Sequence, residues 1–319
     1  MILIGDVREK LSELESGSIQ TCITSPPYWG LRDYGNDNQI GLEKSPDEYV
    51  AEMVKVFREV KRVLRDDGTL WLNIGDSYSG SGKGPAGNLG KTHNERDMEE
   101  KHSAVVPVGM KPKDLVGIPW MLAFALRADG WYLRQDIIWA KPNVMPESVK
   151  DRCTKSHEYL FLLTKSAQYY YDHVAIKEPV SDVSLKRAES GWKTDRPSAK
   201  TSAGGIDVEK MGTRFVNPDG RNKRDVWFIP TASFKGAHFA VMPEKLVEPC
   251  VLAGSKEGDT VLDPFAGSGT VGVVALRHNR NFVGVEINPE YAEMARKRIG
   301  NSASYFPDSV ILSNLAGGA

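Results

Sequence analysis

Two short segments of this 319-residue chain hold residues whose types and spacing can do chemistry. The first is Thr24-Ser25-Pro26-Pro27-Tyr28-Trp29, placed directly after the apolar run Ile19 to Ile23. Consecutive prolines fix φ and remove both N–H donors, so the backbone there offers carbonyl acceptors only, beside the Ser25 hydroxyl. Acceptors without donors suit a planar amino group. The Ser25 side chain and the Pro26 carbonyl can take its two hydrogens and draw the nitrogen toward a tetrahedral, nucleophilic form. Tyr28, with Trp29 next to it, can stack on the attached ring.

The second segment is Val261 to Thr270, VLDPFAGSGT, a buried strand running into a Gly-rich turn that opens a helix. Glycines permit backbone angles and close approaches that a Cβ would block, so such a turn can hold a nucleotide-like ligand against strand ends. The acid ending this strand, Asp263, is followed by a second strand ending in an acid, Glu286 of FVGVE. In doubly wound folds such a second acid commonly chelates ribose hydroxyls. A missing third glycine argues against a dinucleotide fingerprint, and the absence of Gly-Lys-Ser/Thr argues against a P-loop. A nucleoside with an amino-acid-like tail fits better, because Asp263 can meet an ammonium.

Two other groups of residues invite chemistry. Pro249-Cys250 imitates a Pro-Cys nucleophile, but it falls in a stretch, Glu244 to Ala253, that reads as a helix feeding the Asp263 strand, so a packed cysteine is expected. His102, His157, His173, His238 and His278 show no metal-ligand spacing with one another or with cysteine, and no metal site is expected. Cys22, Cys153 and Cys250 fit no disulfide framework, which suggests a reducing compartment.

Alternating strands and helices must position these segments. Strands are expected at Ile2 to Ile4 and Ile19 to Thr24, with a short helix over Val7 to Leu14 between them. Ser45-Pro46-Asp47-Glu48 predicts a capped helix start. Its apolar face runs Tyr49, Met53, Val56, Phe57, Val60, Leu64, and Asp66-Asp67-Gly68 stops it before a strand at Thr69 to Ile74. A helix from about Asp114 to Asp129 and strands at Trp131 to Trp139 and Glu158 to Thr164 follow. The C-terminal part gives a helix at Glu244 to Ala253, strand Thr260 to Asp263, helix Gly269 to His278, strand Asn281 to Glu286 and helix Pro289 to Ile299. The whole predicts one doubly wound, mostly parallel α/β domain, with an antiparallel strand from the Trp131 or Glu158 region.

Two stretches interrupt the pattern. Ser79 to Lys113 is rich in Gly, Ser, Lys and Asn and reads as a long loop. Val183 to Arg224 carries ten basic residues against five acidic ones. The chain as a whole, with 41 Lys+Arg and 42 Asp+Glu, has a formal charge of -1, which excludes bulk coating of nucleic acid but not this local excess. No apolar stretch reaches the length of about 18 residues that a membrane helix needs, and no signal-peptide layout is present, so a cytoplasmic protein is expected.

Taken together, Ser25-Pro26-Pro27-Tyr28 early and Asp263 to Thr270 late resemble the S-adenosylmethionine-dependent DNA methyltransferases that modify exocyclic amino groups, specifically their permuted (beta) group. In that family a (Asp/Asn/Ser)-Pro-Pro-(Tyr/Phe/Trp) tetrapeptide precedes an Asp-Pro-Phe-x-Gly-Ser-Gly-Thr motif. The resemblance covers most of the chain apart from the two irregular stretches. It implies a class I methyltransferase, Rossmann-like fold, with a catalytic half at 1–171 (loop 79–113), a DNA-recognition region at 172–235 and a cofactor half at 236–319. It implies S-adenosylmethionine bound by Asp6, His238, Phe239, Asp263, Pro264, Phe265, Gly267, Gly269, Thr270 and Glu286, and catalysis by Ser25, Pro26, Pro27 and Tyr28. Duplex DNA would be met by Trp29, Lys193, Arg196, Arg214, Arg221, Lys223 and Arg224, with the base flipped out of the stack. Within the family Ser at the first tetrapeptide position more often accompanies cytosine N4 and Asp adenine N6, so cytosine N4 is favoured over adenine N6. A homodimer and a cognate restriction enzyme are implied partners. Methylation of a protein glutamine or an RNA amino group uses similar Pro-Pro-Tyr logic, but does not by itself call for the basic insertion. A non-enzymatic DNA-binding module would have no use for Asp263, Glu286 and the Ser-Pro-Pro-Tyr row.

Overall fold

The structure is a computed structural model and describes residues 1–31, 38–80, 106, 109–180, 183, 186, 220–231 and 241–304. The chain divides into two compact units, Met1–Tyr171 with Asp225–Ala319, and Asp172–Arg224.

The larger unit is built on one eight-stranded sheet of β1 (Ile2–Ile4), β2 (Ile19–Thr24), β3 (Leu64–Ile74), β4 (Tyr132–Ala140), β5 (His157–Thr164), β6 (Val226–Phe228), β7 (Thr260–Asp263) and β8 (Asn281–Glu286), in the order β1-β8-β7-β2-β3-β5-β4-β6. Every pairing is parallel except those of β5, which runs against both β3 and β4. The antiparallel strand is therefore the one from the Glu158 region. Helices α1 (Val7–Ser12), α2 (Pro46–Val63) and α3 (Ile118–Ala128) pack as one group. A second group is α4 (Glu244–Gly254), α5 (Thr270–Arg277) and α6 (Pro289–Ser304). All six residues of β2 are buried, as expected of a central parallel strand covered on both faces. Among the described residues no helix is long and apolar enough to cross a membrane.

The start of α2 follows its sequence signal. The Ser45 hydroxyl accepts from Glu48 N–H at 3.2 Å, and Pro46 occupies the first turn. The Glu48 carboxylate reaches back to the Lys44 N–H at 3.0 Å, one residue before the cap. The predicted face is buried: Tyr49, Met53, Val56, Phe57 and Val60 have no exposed surface.

Three features differ from expectation, each for a local reason. Strand β3 begins at Leu64, not Thr69; it pairs there with Ile19, bulges through Arg65 to Gly68, and resumes with Thr69 opposite Thr21. Helix α3 begins at Ile118, not near Asp114. Gly117, at φ +87°, and Pro119 set its start, and the Asp76 carboxylate accepts from the Gly117 and Ile118 N–H groups. Residues Asp114 to Val116 instead bond to Ser77 and Ser79. Strand β6 lies inside the 172–235 stretch expected for DNA recognition, yet pairs in the main sheet with Ile138, Trp139 and Ala140. Most of the expected 79–113 loop and of the basic stretch lies outside the described residues.

In the smaller unit, Glu178 and Arg221 exchange backbone hydrogen bonds of 2.9 Å.

Candidate active site

Strands β7 and β2 are neighbours from which the chain winds outward in opposite directions: β8 and β1 lie beyond β7, β3 and its partners beyond β2. Such a switch point leaves a crevice at the carboxyl ends of the strands. The ends that meet there carry the two segments singled out by sequence. The Thr24 hydroxyl, at the end of β2, donates to Asp263 Oδ1, at the end of β7, at 2.7 Å across 239 positions of sequence. A cavity of about 250 Å³ opens at this place. Its wall includes Asp6, Ser25, Pro26, Pro27, Tyr28, Asp263, Pro264, Phe265, Gly267, Thr270 and Glu286.

On the β7 side the carboxylates are held by backbone donors. Asp263 is 2% exposed; its Oδ1 accepts from Thr24 and from Phe265 N–H at 3.1 Å, while no described group bonds to Oδ2. Burial, with Glu286 adding to it, pushes the Asp263 carboxyl up to about 7 against the opposing pull of those two hydrogen bonds. Glu286 accepts from Gly267 N–H at 2.8 Å and from Asn288 N–H at 2.9 Å, one on each oxygen, and burial likewise raises its pKa. Each oxygen keeps a lone pair for a hydroxyl ligand. The turn needs its glycines. Gly269, at φ +76°, caps α5, and a Cβ there would come within 3.0 Å of Ala295 Cβ. Arg298 braces it from α6, donating to the Ser268 and Thr270 hydroxyls at 3.1 and 2.9 Å and pairing with Glu244 at 3.0 Å.

Asp6 lines the same cavity and caps α1, accepting from Arg8 N–H at 2.8 Å. Burial opposes its ionisation, but the Arg8 side chain and N–H outweigh it and lower its pKa. His238 and Phe239 lie outside the described residues; Thr231, Val241 and Met242, on either side of that gap, line the cavity.

On the β2 side the proline carbonyls are not equivalent. Tyr49, fully buried on α2, donates its hydroxyl to the Pro27 carbonyl at 2.9 Å. The Pro26 carbonyl is left as the acceptor beside Ser25, whose hydroxyl has only a long 3.5 Å contact to the Tyr28 hydroxyl. Tyr28 packs over Gly75, where a Cβ would approach its ring to 2.7 Å, and donates to Glu158 Oε2 at 2.7 Å. Burial, reinforced by Glu158, raises the Tyr28 pKa well above its ordinary value, so the phenol stays protonated.

Glu158 belongs to a group that no sequence motif marks. Asn73 at the end of β3 donates to Glu158 Oε2 at 3.2 Å, and the Lys141 ammonium, just past β4, pairs with Glu158 Oε1. All three line the cavity with Trp139, whose ring lies 4.3 Å below Lys141 Nζ. A signal was present: Asn73 is a lone amide in an apolar strand, and Lys141 follows a strand whose carboxyl end belongs at such a crevice.

The remaining expected residues are placed elsewhere. Trp29 packs against the core, its indole N–H on the Glu43 carbonyl at 2.9 Å, and is not part of the cavity wall. Cys250 is buried in α4 with its thiol on the Leu246 carbonyl at 3.3 Å, a packed cysteine. Arg221, Lys223 and Arg224 cluster on Glu178 at 3.2, 4.0 and 3.2 Å. Lys193, Arg196 and Arg214 fall outside the described residues.

Comparison with known proteins agrees with this geometry. The DNA methylase family of N6/N4 methyltransferases matches residues 19–297. The chain is 49% identical over 298 residues to the Type II methyltransferase M.Cfr9I of Citrobacter freundii, covering 92% of this chain and 86% of that protein. It is 48% identical over 303 residues to M.SmaI of Serratia marcescens, covering 93% and 90%. Among solved structures, the PvuII DNA methyltransferase (cytosine-N4-specific) aligns over 93% of this chain and 85% of its own, with a TM-score of 0.60 at 19% identity. A Thermus thermophilus protein complexed with S-adenosyl-L-methionine aligns over 96% of both chains, with a TM-score of 0.57 at 23% identity. The last two show the shared class I methyltransferase fold, and the family match spans most of the sequence: this chain belongs to the DNA methylase family and is an S-adenosylmethionine-dependent DNA amino-methyltransferase.

Proposed function

We propose that the protein methylates N4 of a specific cytosine in duplex DNA, the base being flipped into the cavity. The observation that carries this is Ser25: among the described residues its hydroxyl has no short hydrogen bond and the neighbouring Pro26 carbonyl no donor, on the wall of the cavity that also holds Asp263. Members of the resembling family with Ser at this position more often act on cytosine N4.

The residues fit S-adenosylmethionine. Asp263 Oδ2 is free to take an ammonium, Glu286 to take the ribose hydroxyls, and Asp6 stands in the wall where an adenine amino group would be met. Gly267 and Gly269 let the backbone approach, with Pro264, Phe265 and Thr270 completing that side; His238 and Phe239 are assigned to the methionine end. When bound, the cofactor supplies an electrophilic methyl on a sulfonium sulfur.

Ser25 and the Pro26 carbonyl each accept one amino hydrogen, which withdraws the nitrogen lone pair from the ring and aims it. Pro27 cannot compete, because Tyr49 holds its carbonyl. Tyr28 offers a ring to stack on, kept in place by Glu158 and by the absence of a side chain at Gly75. No strong base is needed, since the amino nitrogen sheds its proton after it is methylated; positioning supplies most of the acceleration.

The test is to incubate the protein with unmethylated genomic DNA and methyl-labelled S-adenosylmethionine, digest to nucleosides and analyse them by mass spectrometry. N4-methylcytosine is expected. N6-methyladenine would retain the mechanism and overturn the base assignment, and unlabelled DNA would turn attention to protein glutamine or RNA.

The 172–235 stretch, apart from β6 and its flanks in the main sheet, is assigned to target recognition, with Lys193, Arg196, Arg214, Arg221, Lys223 and Arg224 on DNA phosphates. A homodimer and a restriction enzyme of the same specificity are the proposed protein partners. Arg221, Lys223 and Arg224 gather around the Glu178 carboxylate at 3.2, 4.0 and 3.2 Å. Replacing all three with glutamine is expected to lower DNA affinity and flatten the dependence of log K on log salt by about two to three. An unchanged slope in a salt titration would remove them from the DNA interface.

A further inference from the structure

We propose that Lys141 is a specificity-determining residue that donates to the O2 carbonyl of the target cytosine. This deepens the cytosine N4 assignment and rests on it.

A flipped base is read along its Watson–Crick edge. For cytosine that edge runs amino group, ring nitrogen acceptor, carbonyl acceptor; for adenine it runs amino group, ring nitrogen acceptor, C–H. The two bases therefore differ at the third place, where cytosine needs a donor and adenine cannot use one. The wall beside Ser25 has such a donor. Proline carbonyls, the Ser25 hydroxyl and the Glu158 carboxylate supply acceptors, and the Tyr28 hydroxyl and the Asn73 amide are already committed to Glu158. The Lys141 ammonium has three N–H groups, of which Glu158 Oε1 takes one, and its side chain is only 16% exposed. Glu158 neutralises the charge, so the ammonium is kept in the cavity without an isolated-ion penalty. The Trp139 face beneath holds it further.

The placement follows from the topology. Strand β4 runs parallel to β2 and β3, so its carboxyl end delivers Trp139 and Lys141 to the crevice. Strand β5 runs the other way, so its first residues, His157 and Glu158, are the ones that arrive there, paired with Ala140 and Trp139. Glu158 is thereby fixed by the β4–β5 ladder, and Lys141, one residue beyond it, by its N–H on the Ser156 carbonyl at 2.8 Å.

The test uses duplexes containing the site mapped from the wild-type product, with the target cytosine either retained or replaced by a 2-aminopyridine C-nucleoside. That analogue keeps the amino group and the adjacent ring nitrogen and lacks O2; alkaline buffer keeps its ring nitrogen unprotonated. Wild-type enzyme is expected to lose about tenfold or more in kcat/KM on the analogue, the worth of a hydrogen bond to a charged donor. Lys141→Met should lose a similar factor on cytosine and almost nothing further on the analogue. Additive losses would mean that Lys141 acts only structurally and would overturn the proposal. Lys141→Met/Glu158→Gln, which leaves no unpaired carboxylate, is carried through the same comparison, and unchanged cofactor affinity verifies the fold of both variants. A wild-type product of N6-methyladenine would sink the base assignment and this inference together; N4-methylcytosine with additive losses would sink this inference alone.

Discussion

Replacing Asp263 with asparagine is expected to weaken S-adenosylmethionine binding by about a hundredfold, the scale for truncating one partner of a buried, hydrogen-bonded charge pair. The effect has a pH signature. In the free protein burial holds the Asp263 carboxyl at about 7, and a bound ammonium favours the ionised form and lowers it. Binding below pH 7 must therefore expel a proton, and affinity should fall by up to about tenfold for each unit that the pH drops beneath that value, levelling off above it. The asparagine variant has no such proton and should show a flat profile in this range. Isothermal titration calorimetry across pH, in buffers of different ionisation enthalpy, reads both the affinity and the proton. Loss of fold makes the opposite prediction for stability. Since the native carboxyl is raised from 3.8 to about 7, the wild type loses stability as pH rises through that window. Asparagine is spared this loss, so the variant should be no less stable than wild type at alkaline pH. A wild-type affinity that ignored pH would remove the ammonium from Asp263.

Ser25→Ala should act on the other side of the cavity. Removing one preorganised hydrogen-bonding group aimed at the reacting atom costs about a hundredfold to a thousandfold in kcat, and cofactor affinity should be unchanged because Ser25 has no hydrogen bond to the β7 side. The Pro26 carbonyl remains, so activity is reduced and not abolished. Single-turnover methyl transfer together with cofactor titration separates the two quantities. Equal losses in both would show that Ser25 supports the fold of the crevice and not the reaction.

What could be read from sequence was what is local. The Ser25 to Tyr28 row and the Asp263 to Thr270 turn are each contiguous in sequence, and residues of both line the cavity. The strand and helix alternation was legible because apolar periodicity is a local property, and boundaries drifted where a bulge at Arg65 to Gly68 or a left-handed Gly117 intervened. The Asn73, Lys141 and Glu158 group was not legible, because its members sit on β3, just past β4 and on β5, and meet only through the register of those strands. Glu158 is the harder case: it stands at the beginning of its strand, and only the reversed direction of β5 brings it to the cavity. The helical pattern buries Tyr49, yet nothing in it says that the Tyr49 hydroxyl closes off the Pro27 carbonyl.

The bond between Thr24 and Asp263 joins residues separated by most of the chain, and β2 has β3 on one flank and β7 on the other. During synthesis the β3 flank can close as soon as Ile74 has emerged from the ribosome. The β7 flank stays an open row of unpaired N–H and C=O groups, on a strand without a single charged residue, until β7 has been made far downstream. An unprotected central edge of this kind invites pairing with other nascent chains. Maturation of the enzyme is thus expected to be late and all at once, with the Ser25 wall of the cavity lacking its opposite side until translation of β7, and with chaperone demand concentrated in that interval.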